Sequence, residues 1–404
     1  MEDNQSKVSF ITKLIHGICS VGIRIAIFLV LGFRFHTDKE VKAWKRSKKS
    51  FLIMSAHPSE MDAVIMLCAG FPRYTRYVVG AQQLYKGFQG KCLQFLKVIP
   101  KKQFTSDVRS IKDMIRTVKN GYVLGMMPEG RVSMDGTPSP IDESTGKLIK
   151  KLAVPVAVLL PHGTYFVKPP YKSDGIIRGK ISGELKALFS EQDVAEMSTE
   201  ELTEKLAAAL DYNACEELRG TGRKYGSKKK PYMVNVANLF YRCPKCGKLY
   251  TIESADDHIR CTHCGMETAI TQEMFFSCDD PNIPDNIAAW NKGQLEFEHE
   301  YWKDPEASIS FDVKKAFMIL GKDSDFGPTD DRGGVLKLDP SGMHYSDEDE
   351  ALDIPLHAIP GVSADYQRGF IAFYQENLIR RFYLENIKYA ARFVNSLMVL
   401  KGLK

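Results

Sequence analysis

Two short apolar runs in the first half of the sequence, 51–56 and 122–127, have the length of strands that are buried on both faces. Helical patterns at about 106–119 and 145–151 separate these runs from each other and from a third apolar run that begins at Val154. Ser198 and Glu201 later form a capping-box pattern, which predicts a helix through roughly Leu218. Strand and helix patterns that alternate in this way predict an α/β sheet with flanking helices. Such a sheet binds ligands where its strands end, so the residues after each run are the candidates for a functional site.

His57 and Asp62 follow the first run and are the strongest candidates for a catalytic pair. Pro58 and Ser59 are typical of a helix start, so His57 is predicted at the junction of a strand and a helix. A carboxylate at Asp62 can accept a hydrogen bond from one ring nitrogen and fix the tautomer whose other nitrogen accepts a proton. The pair is therefore predicted to act as a general base and its orienting acid.

The His-x4-Asp spacing is weak evidence by itself, because it occurs three times in this sequence. The other copies pair His299 with Asp304 and His344 with Asp349. His299 lies in an acidic, aromatic stretch, whereas His344 follows a turn and precedes an acidic run. Both are therefore predicted on the solvated surface, and only the copy after an apolar run has the context of a site.

The second apolar run ends at Pro128, Glu129 and Gly130, and Arg131 comes next. A loop at this place brings backbone donors and a guanidinium to the edge of the sheet. The planar fork of Arg matches two phosphate oxygens at once, so the loop is a candidate anion site. An ordinary strand exit with a surface Arg is the alternative.

Four segments within residues 50–165 resemble, in order, the four sequence blocks of the glycerolipid acyltransferases, specifically the 1-acyl-glycerol-3-phosphate acyltransferases. The segment 55–62 is similar to the Asn-His-x4-Asp block, 95–102 to a block that ends in a basic residue, 127–133 to Phe-Pro-Glu-Gly-Thr-Arg-Ser, and 154–158 to a Val-Pro-Val block. The resemblance implies catalysis by His57 and Asp62. It also implies substrate binding by Lys101, Lys102, Glu129, Gly130 and Arg131.

The family resemblance implies transfer of an acyl group from acyl-coenzyme A or an acyl carrier protein to 1-acyl-glycerol-3-phosphate, which forms phosphatidic acid in phospholipid biosynthesis. No catalytic cofactor is expected, because the thiol of the donor is already a good leaving group. The sequence departs from the family pattern at Ala56, where Asn is usual, and at Arg131, which stands where Thr is usual. The alternative is a non-catalytic membrane adaptor that uses its other modules to bind partners.

The first 35 residues are predicted to form an amphipathic helix at a membrane surface. Apolar side chains from Phe10 to Ile25 recur at helical spacing, whereas the uninterrupted apolar piece, 25–33, is shorter than the roughly twenty residues of a spanning helix. A core helix is the alternative. A cleaved signal peptide is not expected, because such peptides begin with basic residues, whereas this sequence begins with Met, Glu and Asp.

The charge distribution favours an anionic lipid surface as a partner. Residues 1–50 hold ten Lys or Arg against four Asp or Glu, a surplus of six positive charges in a chain whose net charge is +5. Basic residues near a bilayer gain about 1 kcal/mol each from anionic lipid. We therefore expect a peripheral, monotopic protein at the cytoplasmic face of a membrane.

Four cysteines form the most specific local motif of the sequence. There are two Cys-x2-Cys pairs, Cys243 with Cys246 and Cys261 with Cys264, and fourteen residues lie between the pairs. This spacing is typical of a zinc ribbon. Disulfides are the alternative, but a chain without an export signal is expected in a reducing compartment. Four protein ligands would fill the coordination of zinc, so the predicted metal is structural.

The predicted ribbon has too few basic and aromatic residues for a single-strand nucleic-acid binder, so a nucleic-acid partner is not expected. A docking site for a protein partner is the favoured role, with nucleic-acid binding as the minor alternative. His258 and His263 are further candidate ligands.

The whole chain is predicted to be an α/β acyltransferase domain with a mixed sheet and flanking helices, a zinc ribbon, and a β-rich module that resembles pleckstrin-homology or GRAM modules. The predicted order is a membrane-interface helix at 1–35, the acyltransferase domain at 36–218, a basic linker at 219–232, the ribbon at 233–275, a connector at 276–305, and the β-rich module with a terminal helix at 306–404. The linker is expected to be solvated, with contact to lipid headgroups as the alternative.

Overall fold

The described residues divide into two structural units, which are considered one after the other. The computed structural model describes residues 8–85, 87–105, 107–172, 175–226, 233–255, 257–319, 333–359, 361–375 and 378–404. Among these, unit 1 takes the residues within Met1–Ser133, Thr137–Pro169 and Arg178–Glu217, and unit 2 takes those within Met134–Gly136, Pro170–Ile177 and Leu218–Lys404.

Unit 1 contains a seven-stranded sheet with helices between its strands. The strands are β1 (Arg34–Thr37), β2 (Leu52–Ser55), β3 (Thr75–Gly80), β4 (Ile99–Lys101), β5 (Val123–Met126), β6 (Val156–His162) and β7 (Ser182–Phe189). The helices in this part of the chain are α1 (Phe10–Leu31), α2 (Lys39–Arg46), α3 (Asp62–Ala69), α4 (Gly87–Phe95), α5 (Val108–Lys119), α6 (Ser144–Leu152), α7 (Thr164–Val167), α8 (Glu191–Glu196), α9 (Thr199–Ala209) and α10 (Ala214–Leu218), with a 3-10 helix at Ala81–Tyr85.

The strand order in unit 1 is β1-β7-β6-β2-β5-β3-β4. Strands β6 and β7 are antiparallel, and the other neighbouring pairs are parallel, so the sheet is mixed as predicted. Every residue of the central strands β2 and β5 is buried, which explains why both read as continuous apolar runs. Because β2 and β5 pair in parallel, the segments that follow them emerge at the same edge of the sheet.

The helix predicted after Ser198 is shorter than the sequence suggests. Ser198 and Glu201 form the expected capping box, since each side chain is hydrogen-bonded to the backbone amide of the other residue. Helix α9 nevertheless ends at Ala209, and Asn213 then accepts the amides of the short helix α10 through its side chain. An Asn that caps a new helix therefore divides the predicted single helix in two.

Helix α1 has polar residues on its buried face and apolar residues on its exposed face. Thr12, His16 and Ser20 are buried. His16 Nε2 lies 3.1 Å from the hydroxyl of Tyr77, and Ser20 Oγ donates to the carbonyl of Leu67 at 3.1 Å. The exposed side chains recur at helical spacing, and they are Phe10, Ile11, Leu14, Ile18, Val21, Ile25, Phe28 and Leu29.

The length of α1 differs from the sequence-based expectation. The helix has 22 residues, and among the described residues it is the one helix long and apolar enough to cross a membrane. The predicted amphipathic helix is thus present, but its apolar part is not limited to the short piece 25–33. An apolar composition at this length is common to spanning, interfacial and core helices, so it does not by itself choose between them.

Unit 2 contains two antiparallel sheets and two longer helices. The smaller sheet has the order β11-β10-β9-β8, from β8 (Ile252–Ala255), β9 (His258–Cys261), β10 (Glu267–Ile270) and β11 (Phe276–Ser277). Helix α11 (Ile287–Tyr301) follows it. The larger sheet has the order β15-β14-β13-β12-β18-β17-β16, from β12 (Ile309–Ile319), β13 (Gly334–Asp339), β14 (Gly342–Ser346), β15 (Ala351–Pro355), β16 (Ser363–Asp365), β17 (Phe370–Gln375) and β18 (Leu378–Leu384), and α12 (Lys388–Leu400) is the last helix. Short 3-10 helices lie at Val236–Leu239 and Leu356–Ala358.

The C-terminal part of unit 2 is β-rich and ends in a helix, as predicted, and its likeness to pleckstrin-homology or GRAM modules stays a prediction. The described part of the predicted linker differs from the expectation of a solvated segment at Tyr225. Tyr225 is fully buried, and its amide donates to the carbonyl of Gln272 at 2.9 Å. Arg219 Nη1 donates to Asp285 at 2.8 Å. Residues 219–222 and Lys224 are exposed, so Tyr225 is the one buried residue within 219–226, and residues 227–232 lie outside the described residues.

Candidate active site and cysteine cluster

His57 lies where the sequence predicts it, just beyond the end of β2 and before α3. Its Nδ1 is 3.2 Å from Oδ2 of Asp62, the first residue of α3. The His57 side chain keeps 16% of its surface exposed, whereas Asp62 is completely buried. The carboxylate of Asp62 therefore holds one ring nitrogen of His57, while part of the imidazole stays accessible to solvent.

Asp62 is fixed by the chain around it. Its Oδ2 accepts the amide of Ser59 at 2.6 Å in addition to the bond from His57. Burial raises the pKa of the Asp62 carboxyl, and the hydrogen bonds from His57 and Ser59 act in the opposite direction. The Ser59 hydroxyl in turn donates to the carbonyl of Lys168 at 2.8 Å, which holds the turn between β2 and α3.

Glu129 lies in the loop after β5, and both of its carboxylate oxygens are used inside the protein. Oε1 accepts the amide of His57 at 2.8 Å, and Oε2 accepts the amide of Ser139 at 2.7 Å. The residue is only 2% exposed, and burial raises the pKa of its carboxyl to about 7. The carboxylate thus binds the backbone of the candidate catalytic His, and the substrate-binding role that the resemblance implies for Glu129 stays a prediction.

Gly130 and Arg131 form the turn that follows Glu129. Gly130 has a φ of +70°, and a Cβ on it would lie 3.2 Å from the ring of Phe104, so a side chain at this position would be strained. Its carbonyl accepts the side chain of Gln103 at 2.7 Å. The guanidinium of Arg131 lies over the Phe104 ring, 4.8 Å from its centroid. The guanidinium plane is therefore positioned by an aromatic ring from the segment after β4.

Lys101 and Lys102 lie at the end of β4 and just after it. Lys101 Nζ donates to the carbonyls of Lys102 and Thr105, at 3.4 and 3.2 Å. Burial lowers the pKa of Lys101, and the nearby Asp107 acts in the opposite direction. The ammonium of Lys101 is thus turned toward backbone oxygens, and its predicted role in phosphate binding stays a prediction, as does that of Lys102.

Several residues that hold this site were not singled out from the sequence. The backbone amide of Ser139 binds Glu129, and the side-chain amide of Gln103 binds the carbonyl of Gly130. The ring of Phe104 lies against the guanidinium of Arg131. No local pattern identifies them, because their partners lie 10 to 27 residues away along the chain and come close only in the folded protein. The positive φ of Phe104, +57°, is also a property of the fold and not of a turn sequence.

The other two His-x4-Asp copies do not form such a pair. His299 is exposed on α11. His344 bonds to Asp353 at 2.6 Å through Nδ1 and lies 3.3 Å from Asp339 through Nε2, so its partners differ from the one in the repeated spacing. Context, and not spacing, thus separates the first copy from the other two.

The four cysteines of the predicted ribbon converge in unit 2. Their sulfur atoms all lie within 4.8 Å of one another, with 3.8 Å between Cys243 and Cys264 and 3.9 Å between Cys246 and Cys261. Four thiolates bound tetrahedrally at about 2.3 Å from zinc have sulfur atoms roughly 3.8 Å apart. All four thiols are free, so the disulfide alternative does not hold in this structure. The donor set and its spacing fit a tetrahedral metal ion.

Each Cys-x2-Cys pair, which we call a knuckle, is followed directly by a glycine with a left-handed backbone. Gly247 and Gly265 have φ values of +71° and +70°. Their amides donate back to the carbonyls of Cys243 and Cys261, at 3.0 and 3.1 Å, which closes each turn around the thiol pair.

Comparison with known families assigns the two motifs separately. The family model described as Acyltransferase matches residues 33–160, the range that contains the candidate catalytic pair and the loop at Glu129. Residues 33–160 are thus similar to the Acyltransferase family. The family model described as DNA directed RNA polymerase, 7 kDa subunit, a zinc ribbon model, matches residues 236–267. The glycerolipid acyltransferase resemblance and the ribbon resemblance are thus both confirmed.

Among solved structures, the acyltransferase domain is similar to the 1-acyl-sn-glycerophosphate (LPA) acyltransferase PlsC from Thermotoga maritima. The identity is 19%, the TM-score is 0.43, and the match covers 52% of this chain and 81% of that chain. The comparison with curated proteins finds no match.

Proposed function

We propose that the acyltransferase domain moves a fatty acyl group from acyl-coenzyme A or an acyl carrier protein to the free hydroxyl of 1-acyl-glycerol-3-phosphate, which forms phosphatidic acid. The observation that carries this proposal is the bond of 3.2 Å between His57 Nδ1 and Asp62 Oδ2 in a partly exposed imidazole. The match of residues 33–160 to the Acyltransferase family supports the reaction class.

The proposed reaction is a direct transfer with His57 as the general base. Asp62 accepts a hydrogen bond from the N–H group at Nδ1, so Nε2 is the ring nitrogen with the free lone pair. Nε2 takes the proton of the acceptor hydroxyl as the hydroxyl oxygen attacks the thioester carbonyl. The tetrahedral oxyanion collapses, the carbon–sulfur bond breaks, and the imidazolium returns the proton to the thiolate, so the products are an ester and a free thiol. General base catalysis of this kind contributes about 10²–10⁴-fold.

We propose that Glu129 is a positioning residue and that Arg131 binds the acceptor phosphate. Glu129 holds the amide of His57, so it fixes the backbone from which the base projects. Arg131 follows immediately, and stacking on Phe104 limits the rotamers of its guanidinium. A pre-oriented guanidinium loses less side-chain entropy when it binds a phosphate in bidentate fashion.

We propose that α1 lies in the interface of a membrane at its cytoplasmic face. Its buried face is hydrogen-bonded to the rest of unit 1 through His16 and Ser20, which supports a helix that lies along the unit over a helix that leaves it. The outward apolar face would otherwise remain in water. Burial of such side chains in the acyl region contributes about 1.5–3 kcal/mol each.

Positive charge lies beside the apolar face of α1. The side chains of Arg24 and Lys45 are each 5.7 Å from the centroid of the Phe35 ring. Burial, together with the neighbouring charges of Arg24 and Lys42, lowers the pKa of Lys45 to about 8. Concentrated positive charge next to an apolar face suits an anionic lipid surface, which would also concentrate an anionic acceptor.

We propose that the cysteine cluster holds a structural zinc ion. Cys243, Cys246, Cys261 and Cys264 would supply all four ligands, so no coordination position would remain for a substrate. The metal would cross-link the two knuckles, and the small sheet of unit 2 would depend on it for stability.

A product screen tests the proposed activity. The purified protein would be given 1-acyl-glycerol-3-phosphate, glycerol-3-phosphate or other lysophospholipids in anionic vesicles, each with acyl-coenzyme A or acyl carrier protein, and products would be identified by mass spectrometry. We expect phosphatidic acid from 1-acyl-glycerol-3-phosphate. Transfer only to another acceptor would overturn the acceptor assignment. No acyl transfer in any combination would overturn the enzymatic proposal and favour the adaptor alternative.

A further inference from the structure

Helix α4 carries a second exposed apolar face of unit 1. Phe88, Cys92 and Phe95 follow each other at intervals of four and three residues, so they lie on one side of the helix. All three are exposed, and Phe88, at 82%, is the most exposed large hydrophobic side chain among the described residues. We call these three residues the α4 face. Burial against an apolar partner would stabilise such a face.

The opposite side of α4 packs on the 3-10 helix at Ala81–Tyr85. Gly90 is buried there, and a Cβ on it would lie 2.2 Å from the carbonyl oxygen of Leu84, so a side chain at this position would force the two apart. One turn later, Gln94 Nε2 donates to the same carbonyl at 3.0 Å. The contacts of Gly90 and Gln94 with Leu84 leave the α4 face turned outward.

Helix α4 begins near the edge of the sheet that carries the candidate site. Strands β2, β5, β3 and β4 are parallel, so the segments after β3 and β4 emerge at the same edge as those that hold His57 and Glu129. Helix α4 follows β3 through the 3-10 helix. Within that 3-10 helix, Gln82 Nε2 donates to Gln103 Oε1 at 2.6 Å, and Gln103 Nε2 donates to the carbonyl of Gly130 at 2.7 Å. The start of α4 is thus connected to the loop that follows β5.

The charge around the α4 face has one sign. Residues 63–106 contain seven Lys or Arg and no Asp or Glu, a surplus larger than the +5 of the whole chain. Lys91 lies beside the α4 face, one turn after Phe88, and Lys97 follows the helix; both lysines are exposed. An apolar face among positive charges matches a surface that offers acyl chains and phosphate groups together.

We propose that the α4 face inserts into an anionic lipid bilayer and holds this edge of the sheet against it. The acyl chains bury Phe88 and Phe95, and the lipid phosphates attract Lys91. This role of α4 rests on the proposed function in one respect, because a bilayer that contains 1-acyl-glycerol-3-phosphate then presents the acceptor at the edge that carries His57. Helix α1 precedes the sheet in the chain, whereas α4 follows β3, so the two helices make separate contacts with the membrane.

Flotation of the full-length protein with vesicles of equal parts phosphatidylglycerol and phosphatidylcholine tests this contact. Phe88→Ser should weaken binding about ten- to a hundredfold, because an exposed side chain that the bilayer buries is lost without disturbing the packing of unit 1. Val335→Ser, which removes an exposed apolar side chain of unit 2, should change binding by less than about twofold. Lys91→Glu should weaken binding about fivefold or more, whereas Lys205→Glu, on the acidic helix α9, should not.

A tryptophan at position 88 reports the same contact directly. Phe88→Trp keeps the face apolar, and vesicles of the same composition with brominated acyl chains quench the emission of a Trp that reaches those chains. The wild-type protein has three Trp, so the difference in emission between variant and wild type isolates position 88. We expect the added emission of Phe88→Trp to be quenched and that of Val335→Trp to be unaffected.

Unchanged vesicle binding by Phe88→Ser, or unquenched emission from Phe88→Trp, would overturn the proposal. Sedimentation of the lipid-free proteins identifies the other occupant: a smaller assembly in Phe88→Ser than in wild type, with vesicle binding unchanged, would assign the α4 face to a second copy of the chain and overturn the membrane contact. None of these measurements depends on turnover. If the wild-type protein transfers no acyl group, the proposed function fails, and vesicle binding and quenching still decide the role of the α4 face.

Discussion

Glu129 provides a prediction whose sign and size follow from the structure. The substitution Glu129→Gln keeps the shape of the side chain but replaces one acceptor oxygen with a donor. Since the amides of His57 and Ser139 both point at the carboxylate, one of them loses its partner. A buried N–H without an acceptor costs about 1–3 kcal/mol, so the variant should be less stable than wild type at acidic pH.

The difference in stability should shrink as the pH rises. The Glu129 pKa rises from 4.5 to about 7 in the folded protein, so the native state holds this proton more tightly than the unfolded chain does. The stability contributed by the protonated carboxyl is complete below about pH 4.5 and is lost as the pH rises through about 7. At about 1.4 kcal/mol per pKa unit, the loss is about 3 kcal/mol. Gln does not titrate, so the variant does not share this loss.

Urea unfolding of the two proteins at pH 5, 6, 7 and 8, followed by circular dichroism, measures this change. Every other titrating group is common to both proteins, so the difference in unfolding free energy isolates Glu129. We expect the disadvantage of the variant to decrease by about 2.5 kcal/mol between pH 5 and pH 8, because part of the total loss has already occurred at pH 5. Glu60→Gln, which removes an exposed carboxylate of the same unit, is the matched control. A difference that stays constant or grows with pH would show that Glu129 does not bind a proton in this range.

Three further predictions concern other parts of the molecule. Asp62→Asn should lower kcat by about 10³–10⁴ with little change in KM, because the amide no longer fixes the required tautomer of His57, and steady-state kinetics measures both. Ile18→Lys, on the exposed face of α1, should weaken binding to anionic vesicles about ten- to a hundredfold in flotation assays, whereas Val335→Lys in unit 2 should not. Elemental analysis should find one zinc ion per chain, and its removal by a chelator or by Cys261→Ser should lower the melting temperature of unit 2 by roughly 10 °C or more. Unchanged kinetics, equal vesicle binding by the two lysine variants, or metal-free protein of full stability would contradict these expectations in turn.

Much of the fold could be predicted because local patterns determine it. The central strands β2 and β5 have continuous apolar runs, and α9 begins at a capping box. The edge strand β1 could not be identified in the same way, because only Thr37 in it is buried and its pairing with β7 joins segments almost 150 residues apart. Edge strands have little pattern of their own, and long-range pairing is not encoded in a local window.

The candidate catalytic pair was predictable, but its support was not. His57 and Asp62 lie five residues apart, so a strand followed by a helix brings them together. The partners of Glu129 come from segments on both sides of it and use backbone amides, which have no residue signature. The resemblance to a family therefore singles out Glu129, whereas the two amides that its carboxylate binds are known only from the structure.

The local sequence also could not predict which face of α1 is buried. Its apolar spacing predicts an amphipathic helix, and such a helix normally turns its apolar face inward. In this protein Thr12, His16 and Ser20 face inward, and Tyr77 and the carbonyl of Leu67 offer hydrogen-bond partners to His16 and Ser20. Those partners lie elsewhere in unit 1, so only the folded structure reveals which face of α1 packs inward.

The most direct test of the account compares acyl transfer by wild type, His57→Ala and His299→Ala under identical conditions. The two substitutions each remove a His of the same sequence spacing, one that is hydrogen-bonded to a buried acid and one that is exposed on α11. We expect the rate of phosphatidic acid formation to fall by at least about a hundredfold in His57→Ala and to stay at the wild-type level in His299→Ala. Equal rates in wild type and His57→Ala would contradict the assignment of His57 as the general base.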